Sequence, residues 1–217
     1  MSNDEEVFTY GGDKADVSWH GTLCIHVQEC GRAKGDLFIG GRKPWCQPDL
    51  ASVDEVVEVI SRCPTGALSV ERKDGGATEA AERQNVVVVT NNGPLVVRGE
   101  LEIEGAPENA PGLRFRASLC RCGESKNKPF CDNSHEDANF KEHGAVGETG
   151  EPVDQGGALR IGRAPNGPLI FSGNFSIVSS GARVAWTGSR AALCRCGQSN
   201  NKPFCDGQHK KVGFEAD

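Results

Sequence analysis

Cys120-Arg121-Cys122-Gly123-Glu124-Ser125-Lys126-Asn127-Lys128-Pro129-Phe130-Cys131-Asp132-Asn133-Ser134-His135 puts three thiols and an imidazole into one short stretch. Sulfur and nitrogen ligands gathered this closely select zinc or iron-sulfur clusters, so the stretch reads as a metal site rather than a disulfide framework. The pattern returns as Cys194-Arg195-Cys196 and Cys205-Asp206-Gly207-Gln208-His209, each ligand lying 74 residues after its counterpart. The same offset carries Gly93-Pro94-Leu95 onto Gly167-Pro168-Leu169, Gly99 onto Gly173, Ile103 onto Ile177, Arg116 onto Arg190 and Phe140 onto Phe214. A constant offset makes the repeated unit a whole module, strands included, with no insertion or deletion between those landmarks. Two stacked or pseudo-symmetric halves are expected.

The chain has 217 residues, of which 37% are hydrophobic and 6% aromatic, with 28 glycines. The repeat divides it into three modules of about seventy residues, too small for apolar cores to stabilise comfortably, so bound metal is expected to supply folding free energy. The repeats take six of the ten cysteines and leave Cys24, Cys30, Cys46 and Cys63 in the first third. Met1 to Glu6 is acidic, without the basic and apolar regions of a signal peptide. No apolar run approaches the roughly eighteen residues of a membrane span. A reducing cytoplasm is the expected setting, where clustered cysteines mean metal or redox chemistry rather than structural disulfides. The net charge of −6 argues against nucleic acid as a partner. Arg121, Lys126, Lys128, Arg195 and Lys202 nevertheless gather at the repeated sites. They read either as solvated loop residues or as charge compensation for an anionic cluster and docking of an acidic redox partner.

Ser52-Val53-Asp54-Glu55 is a capping box opening a helix with Val53, Val56, Val57 and Ile60 on its apolar face. The helix runs into Cys63-Pro64, where proline turns the chain away. Val17 to Trp19 and Ala67 to Val70 read as short strands, which makes the first third a small α+β domain. Arg72 to Asn85 is a linker. Strands are expected at Val86 to Val89, Leu95 to Val97 and Leu101 to Ile103, and in the second copy at Leu159 to Ile161, Leu169 to Phe171 and Phe175 to Val178. The Gly-rich, charged stretch from Lys141 to Gly157 reads as a flexible connection.

In each repeat, cysteines at i and i+2 reach one metal ion from a turning backbone, while Cys131 and His135 stand at i and i+4, on one face if Cys131 opens a helical turn that Asp132 caps. Two irons bridged by sulfides suit this arrangement. Cys₃His is also a structural zinc set, although zinc motifs usually space their cysteines C-x₂₋₄-C and both copies here are C-x-C.

Cys-x-Cys-x₂-Ser-x₃-Pro-x-Cys-Asp-Gly-x-His is the signature of the CDGSH iron-sulfur (NEET) family. The chain resembles it at Cys120, Cys122, Ser125, Pro129, Cys131, Asp132 and His135, and again at Cys194, Cys196, Ser199, Pro203, Cys205, Asp206, Gly207 and His209. The resemblance implies one [2Fe-2S] cluster per motif, the C-x-C pair on an inner iron and the last Cys and His on an outer, more exposed one. It also implies tandem β-rich modules packed as a pseudo-dimer. Asn133 stands where the family has Gly, and Asn is among the few substitutes if that position requires positive φ.

The segment from Tyr10 to Val70, with Trp19-His20-Gly21-Thr22, Pro44-Trp45 and Arg62-Cys63-Pro64-Thr65-Gly66-Ala67-Leu68, resembles the divergent single-cluster 4Fe-4S ferredoxin domain. Val27 occupies the position of the middle cysteine of a ferredoxin loop. Cys24, Cys30 and Cys63 then hold a [3Fe-4S] cluster; a [4Fe-4S] cluster needs a fourth ligand from Cys46, His26 or solvent. Cys46 beside Trp45 reads first as a small buried residue, and His26 as a group that tunes the cluster or faces solvent.

The expectation is an α+β chain with a ferredoxin-like domain at 8–71 and CDGSH modules at 86–140 and 158–215, binding two [2Fe-2S] clusters and one [3Fe-4S] or [4Fe-4S] cluster. It is expected to be a monomer with internal pseudo-two-fold symmetry that transfers electrons, or stores and transfers clusters, with a redox or apo-acceptor protein as partner. A redox or iron sensor and an electron-transfer subunit of an oxidoreductase are the alternatives. No Gly-rich nucleotide loop and no nucleophile-His-acid set is visible, so a complete enzyme is not expected.

Overall fold

The computed structural model describes residues 7–154 and 156–216, so the acidic start from Met1 to Glu6 lies outside the described residues. They form two compact units, one of the residues up to Ala80 with Pro107–Gly112, the other of Ala81–Ala106 and the residues from Leu113. Among them no helix is long and apolar enough to cross a membrane.

The first unit is an antiparallel sheet of β1 (Val7–Tyr10), β2 (Ala15–His20) and β3 (Leu68–Arg72), with β2 in the middle, and one helix, α1 (Val53–Ser61). The capping box forms: Glu55 N donates to Ser52 Oγ at 3.3 Å, and Ser52 N donates to Glu55 Oε2 at 2.9 Å. The helix buries Val56, Val59 and Ile60, while Val53 and Val57 of the expected stripe are only half-buried. This face closes a core with Val17, Leu37, Phe38 and Leu68. β1 carries no alternation to announce it. Pairing with β2 and the stacking of Phe8 on Trp19, 5.6 Å between ring centroids, hold it in place.

The second unit is one seven-stranded sheet of β4 (Val86–Val89), β5 (Leu95–Arg98), β6 (Leu101–Ile103), β7 (Arg116–Leu119), β8 (Leu159–Arg163), β9 (Leu169–Val178) and β10 (Val184–Leu193). The two repeats share this sheet by exchanging strands. Val86 of β4 pairs in parallel with Ser176 of β9, and Arg160 of β8 pairs in parallel with Glu102 of β6, the same registration moved by the repeat offset. The antiparallel pairs repeat likewise: Leu95 faces Leu119 in one copy and Leu169 faces Leu193 in the other. Instead of two separate strands, the second copy runs unbroken from Leu169 to Val178 through Gly173, and the pairing of β10 along its length explains this.

Of the two stretches read as connections, the linker from Arg72 is largely exposed up to Gln84 and packs only at its end, whereas the stretch from Lys141 is held by long-range bonds. Asn85, at the end of the expected linker, is buried. Its Nδ2 donates to the carbonyls of Gly157 and Asn174, reaching the second repeat, and its Oδ1 accepts from Glu100 N within the first. The stretch from Lys141 to Gly157 is not a free tether. Asn92 N donates to Glu142 O, Ser180 N to Gly144 O, and Thr187 Oγ1 to Glu151 O, while Val146 is buried. Glycine and charge predicted flexibility there, but long-range partners satisfy the backbone instead.

The repeats also meet at backbone level. Gly197 has φ +76, and a Cβ there would lie 2.2 Å from the Cys122 carbonyl oxygen; Gly123, at φ +94, stands 2.6 Å by the same measure from that of Cys196. Gly197→Ala combines this collision with a left-handed backbone that alone costs about 1–2 kcal/mol for an L residue. Thermal unfolding should show a clear loss of stability in Gly197→Ala and none in Gly147→Ala, where nothing lies within 4 Å. Equal melting temperatures would show that the two loops can separate freely.

Candidate metal centres

Each repeated motif is held by the end of a strand. After β7, Cys120 N donates to Pro129 O at 2.8 Å and Cys131 N donates to Ser118 O at 2.9 Å, which sets these cysteines across a short ladder beside the Leu119–Phe130 bridge. In the second copy Cys194 N donates to Pro203 O and Cys205 N to Ala192 O, both at 2.8 Å. The signature serines close the loops: Ser125 Oγ donates to Phe130 O and Ser199 Oγ to Phe204 O, each at 2.7 Å.

The histidines ride on one-turn helices, α2 (Ser134–Asp137) and α3 (Gln208–Lys211). Asp132 accepts from Ser134 N at 3.0 Å and Lys126 N at 2.8 Å, joining the helix start to the loop. Burial raises the Asp132 carboxyl, but these hydrogen bonds outweigh it and leave it below the ordinary value. Asp206 repeats the arrangement with Gln208 N and Asn200 N. The residue before each helix is left-handed, Asn133 at φ 70 and Gly207 at φ 87, so the exchange of Gly for Asn keeps the backbone required there.

The donors come together in pairs. Cys120 Sγ and Cys122 Sγ are 3.7 Å apart, as are those of Cys194 and Cys196; Cys131 Sγ lies 3.4 Å from His135 Nδ1, and Cys205 Sγ 3.4 Å from His209 Nδ1. Two thiolates at about 2.3 Å from one tetrahedral metal stand about 3.8 Å apart, and a thiolate and an imidazole about 3.5 Å apart. Among the described residues no three His, Cys, Asp or Glu side chains gather as they would around a single ion. The C-x-C cysteines and Cys131 are buried, while Cys205, His135 and His209 are partly exposed.

The thiols of Cys120, Cys131, Cys196 and Cys205 all lie above the ordinary range. Burial pushes Cys131 up to about 12 and Cys196 up to about 11. The bond between Cys120 and Cys122 raises the first, with burial adding to it, and draws the second down to about 7. Glu124 N donates to Cys122 Sγ at 3.4 Å. Metal loading therefore displaces protons. Burial lowers His135, which leaves its ring neutral with a lone pair to give.

The arginines inside the two C-x-C motifs are not solvated loop residues. Arg121 and Arg195 are fully buried. Arg121 Nε donates to Gly93 O and Nη2 to Thr90 O, its Nη1 pairs with Glu142, and its guanidinium lies over the Phe140 ring. Arg195 Nε and Nη2 donate to Gly167 O and Ala164 O, with Phe214 beneath it. Burial lowers Arg121 to about 10 against the opposing pull of Cys194 and Cys122. Arginine repeated between the cysteines of both copies was the sequence signal for this role.

In the first unit Cys24, Cys30, Cys63 and His26 line a cavity of about 380 Å³ with Trp19 and Trp45. Burial raises the Cys30 thiol, and the neighbouring Cys63 and Cys24 raise it further. Cys46 does not line this cavity; it lies fully buried in the core, its thiol pushed up to about 12 by burial.

The chain matches the family described as iron-binding zinc finger CDGSH type at residues 92–136 and 166–210, and that described as divergent 4Fe-4S mono-cluster at residues 10–73. It is 45% identical over 64 residues to the uncharacterized protein YjdI of Escherichia coli strain K12, a match covering 30% of this chain and 84% of that protein. The protein of the same name in Escherichia coli O157:H7 matches to the same extent.

Gly207 has open space around its Cβ position, so only its left-handed backbone restricts substitution. Gly207→Asn should be nearly neutral in thermal unfolding, whereas the β-branched Gly207→Val should cost about 1–2 kcal/mol. Equal effects of the two would remove the conformational account of Asn133.

Proposed function

Because the chain belongs to the CDGSH iron-binding family, with a divergent 4Fe-4S mono-cluster domain preceding its two CDGSH motifs, we propose that this iron-sulfur protein carries single electrons or stores and hands on [2Fe-2S] units. The observation that carries this reading is the pairing of donors two by two at identical spacing in both motifs. Soft donors in pairs fit a cluster of two irons with two protein ligands on each, and fit poorly to one zinc ion that draws all four together. An iron-sulfur cluster, when bound, takes up and returns one electron.

The protein's own part is to hold each centre at one buried and one open end. Cys120 and Cys122, or Cys194 and Cys196, serve the inner iron among buried side chains; Cys131 with His135, or Cys205 with His209, serve the outer one. Buried Arg121 and Arg195 compensate the negative thiolates, which favours taking up an electron. The partly exposed imidazoles give an acceptor protein its point of access, either for the electron or for the cluster. Reciprocal strand pairing and the reciprocal Gly123 and Gly197 contacts support reading the CDGSH modules as a pseudo-dimer within one monomer. The N-terminal cavity adds a third centre of three or four irons. Cysteines gathered in iron-sulfur motifs suit a reducing cytoplasm, with a redox or apo-acceptor protein as partner.

Anaerobically purified protein should be red-brown, with about seven or eight irons per chain and sulfide in proportion. Stoichiometric zinc with negligible sulfide would end this reading. Reversible reduction with unchanged iron content supports electron transfer, and appearance of the cluster in an added apo-acceptor supports the carrier role.

Acid should release iron from the histidine side, because protonation competes directly with a neutral imidazole ligand. Burial holds His135 below the ordinary histidine value, so its neutral form persists as pH falls through that range and is lost only below it. With Cys205 more exposed than Cys131, the second motif should bleach first. His135→Cys and His209→Cys should each slow the loss at one site and lower its potential, as followed by visible absorbance and voltammetry. No change in either property would remove these histidines from the ligand set.

A further inference from the structure

A cluster of four irons takes one protein ligand on each iron, and the N-terminal cavity offers three cysteines. Cys46, the remaining cysteine of the first third, is fully buried among Val17, Leu37 and Val56 and does not line the cavity. His26 does line the cavity. It lies in the loop from Cys24 to Cys30, where both His26, at φ 53, and Gln28, at φ 64, are left-handed, a conformation uncommon for residues other than glycine. With the loop wound in this way, His26 Nδ1 stands 3.8 Å from Cys24 Sγ. Val27, where a ferredoxin loop carries its middle cysteine, is 48% exposed and offers no donor.

From this geometry we propose that His26 is the fourth protein ligand of the N-terminal centre, making it a Cys₃His [4Fe-4S] site built from Cys24, His26, Cys30 and Cys63. The proposal rests on the reading of this cavity as an iron-sulfur site. The imidazole is exposed, and exposed side chains change rotamer within nanoseconds, so His26 would hold its iron through a reoriented ring. Two left-handed residues in one short loop are the kind of local strain found at ligand clamps. A neutral imidazole in place of a fourth thiolate leaves the centre one negative charge poorer, which favours the reduced form.

The test uses the full chain carrying His135→Cys and His209→Cys, so that the CDGSH motifs supply no ligating nitrogen, labelled with ¹⁵N-histidine. Pulsed EPR of the reduced protein should show ¹⁵N coupling at the N-terminal centre, with about eight irons per chain. Adding His26→Ala should abolish the coupling, lower the iron content by about one per chain and give the EPR signal of a three-iron cluster in the oxidised state. Adding His26→Cys should keep the iron content, remove the coupling and lower the potential. A four-iron centre without nitrogen coupling, or a three-iron centre with His26 in place, would overturn the assignment while leaving the cavity an iron-sulfur site. A content of about four irons per chain, unchanged by Cys24→Ser, would overturn both.

Discussion

The two CDGSH motifs stand against each other at backbone distance, and much of the second unit follows from that. The loop at Gly197 rests on the Cys122 carbonyl and the loop at Gly123 on that of Cys196, with no room for a side chain at either point. Neither motif can hold this position alone, because each is hung from strands registered on the other repeat. β4 lies beside β9, and β6 beside β8, with the same offset both ways. A module of this size, with few aromatic residues, buries too little to stand by itself. Exchanging strands gives both copies one continuous sheet with Val87, Leu95, Leu159, Phe171 and Ile177 fully buried in it.

Burying two sets of thiols so closely creates an electrostatic problem, and the buried arginines answer it. A guanidinium withdrawn from water is costly unless its donors are met. Here carbonyls of the preceding turns and an aromatic ring receive each one, and Glu142 adds a carboxylate at Arg121. Positive charge next to the C-x-C sulfurs lowers the cost of ionising them when metal binds. The same side chains fasten the C-x-C loops to the strand turns at Gly93 and Gly167, so that loop position and local charge are set by one interaction.

The N-terminal unit works differently. Its core of Val17, Phe38, Val56, Ile60 and Leu68 closes around Cys46 and leaves the remaining cysteines at the wall of a cavity. Phe38 and Leu68 belong to both, so the core backs directly onto the cavity.

Local chemistry was legible in the sequence. The capping box at Ser52 and Glu55, the strands at Val86 to Val89 and Leu101 to Ile103, the left-handed position shared by Asn133 and Gly207, and the pairing of thiol with imidazole across i and i+4 all depend on neighbours a few residues away. The repeat offset extended that reach to predict two equivalent halves. Long-range partners decided the rest. Whether Lys141 to Gly157 hangs free or packs depends on acceptors and donors at Asn92, Ser180 and Thr187. Whether Arg121 is solvated or buried depends on Gly93, Thr90 and Glu142. Whether Cys46 or His26 meets the cavity depends on how the loop winds and what fills the core. Spacing along the chain fixes which donors can share a metal, but burial and charge compensation arise from residues that only the fold brings together.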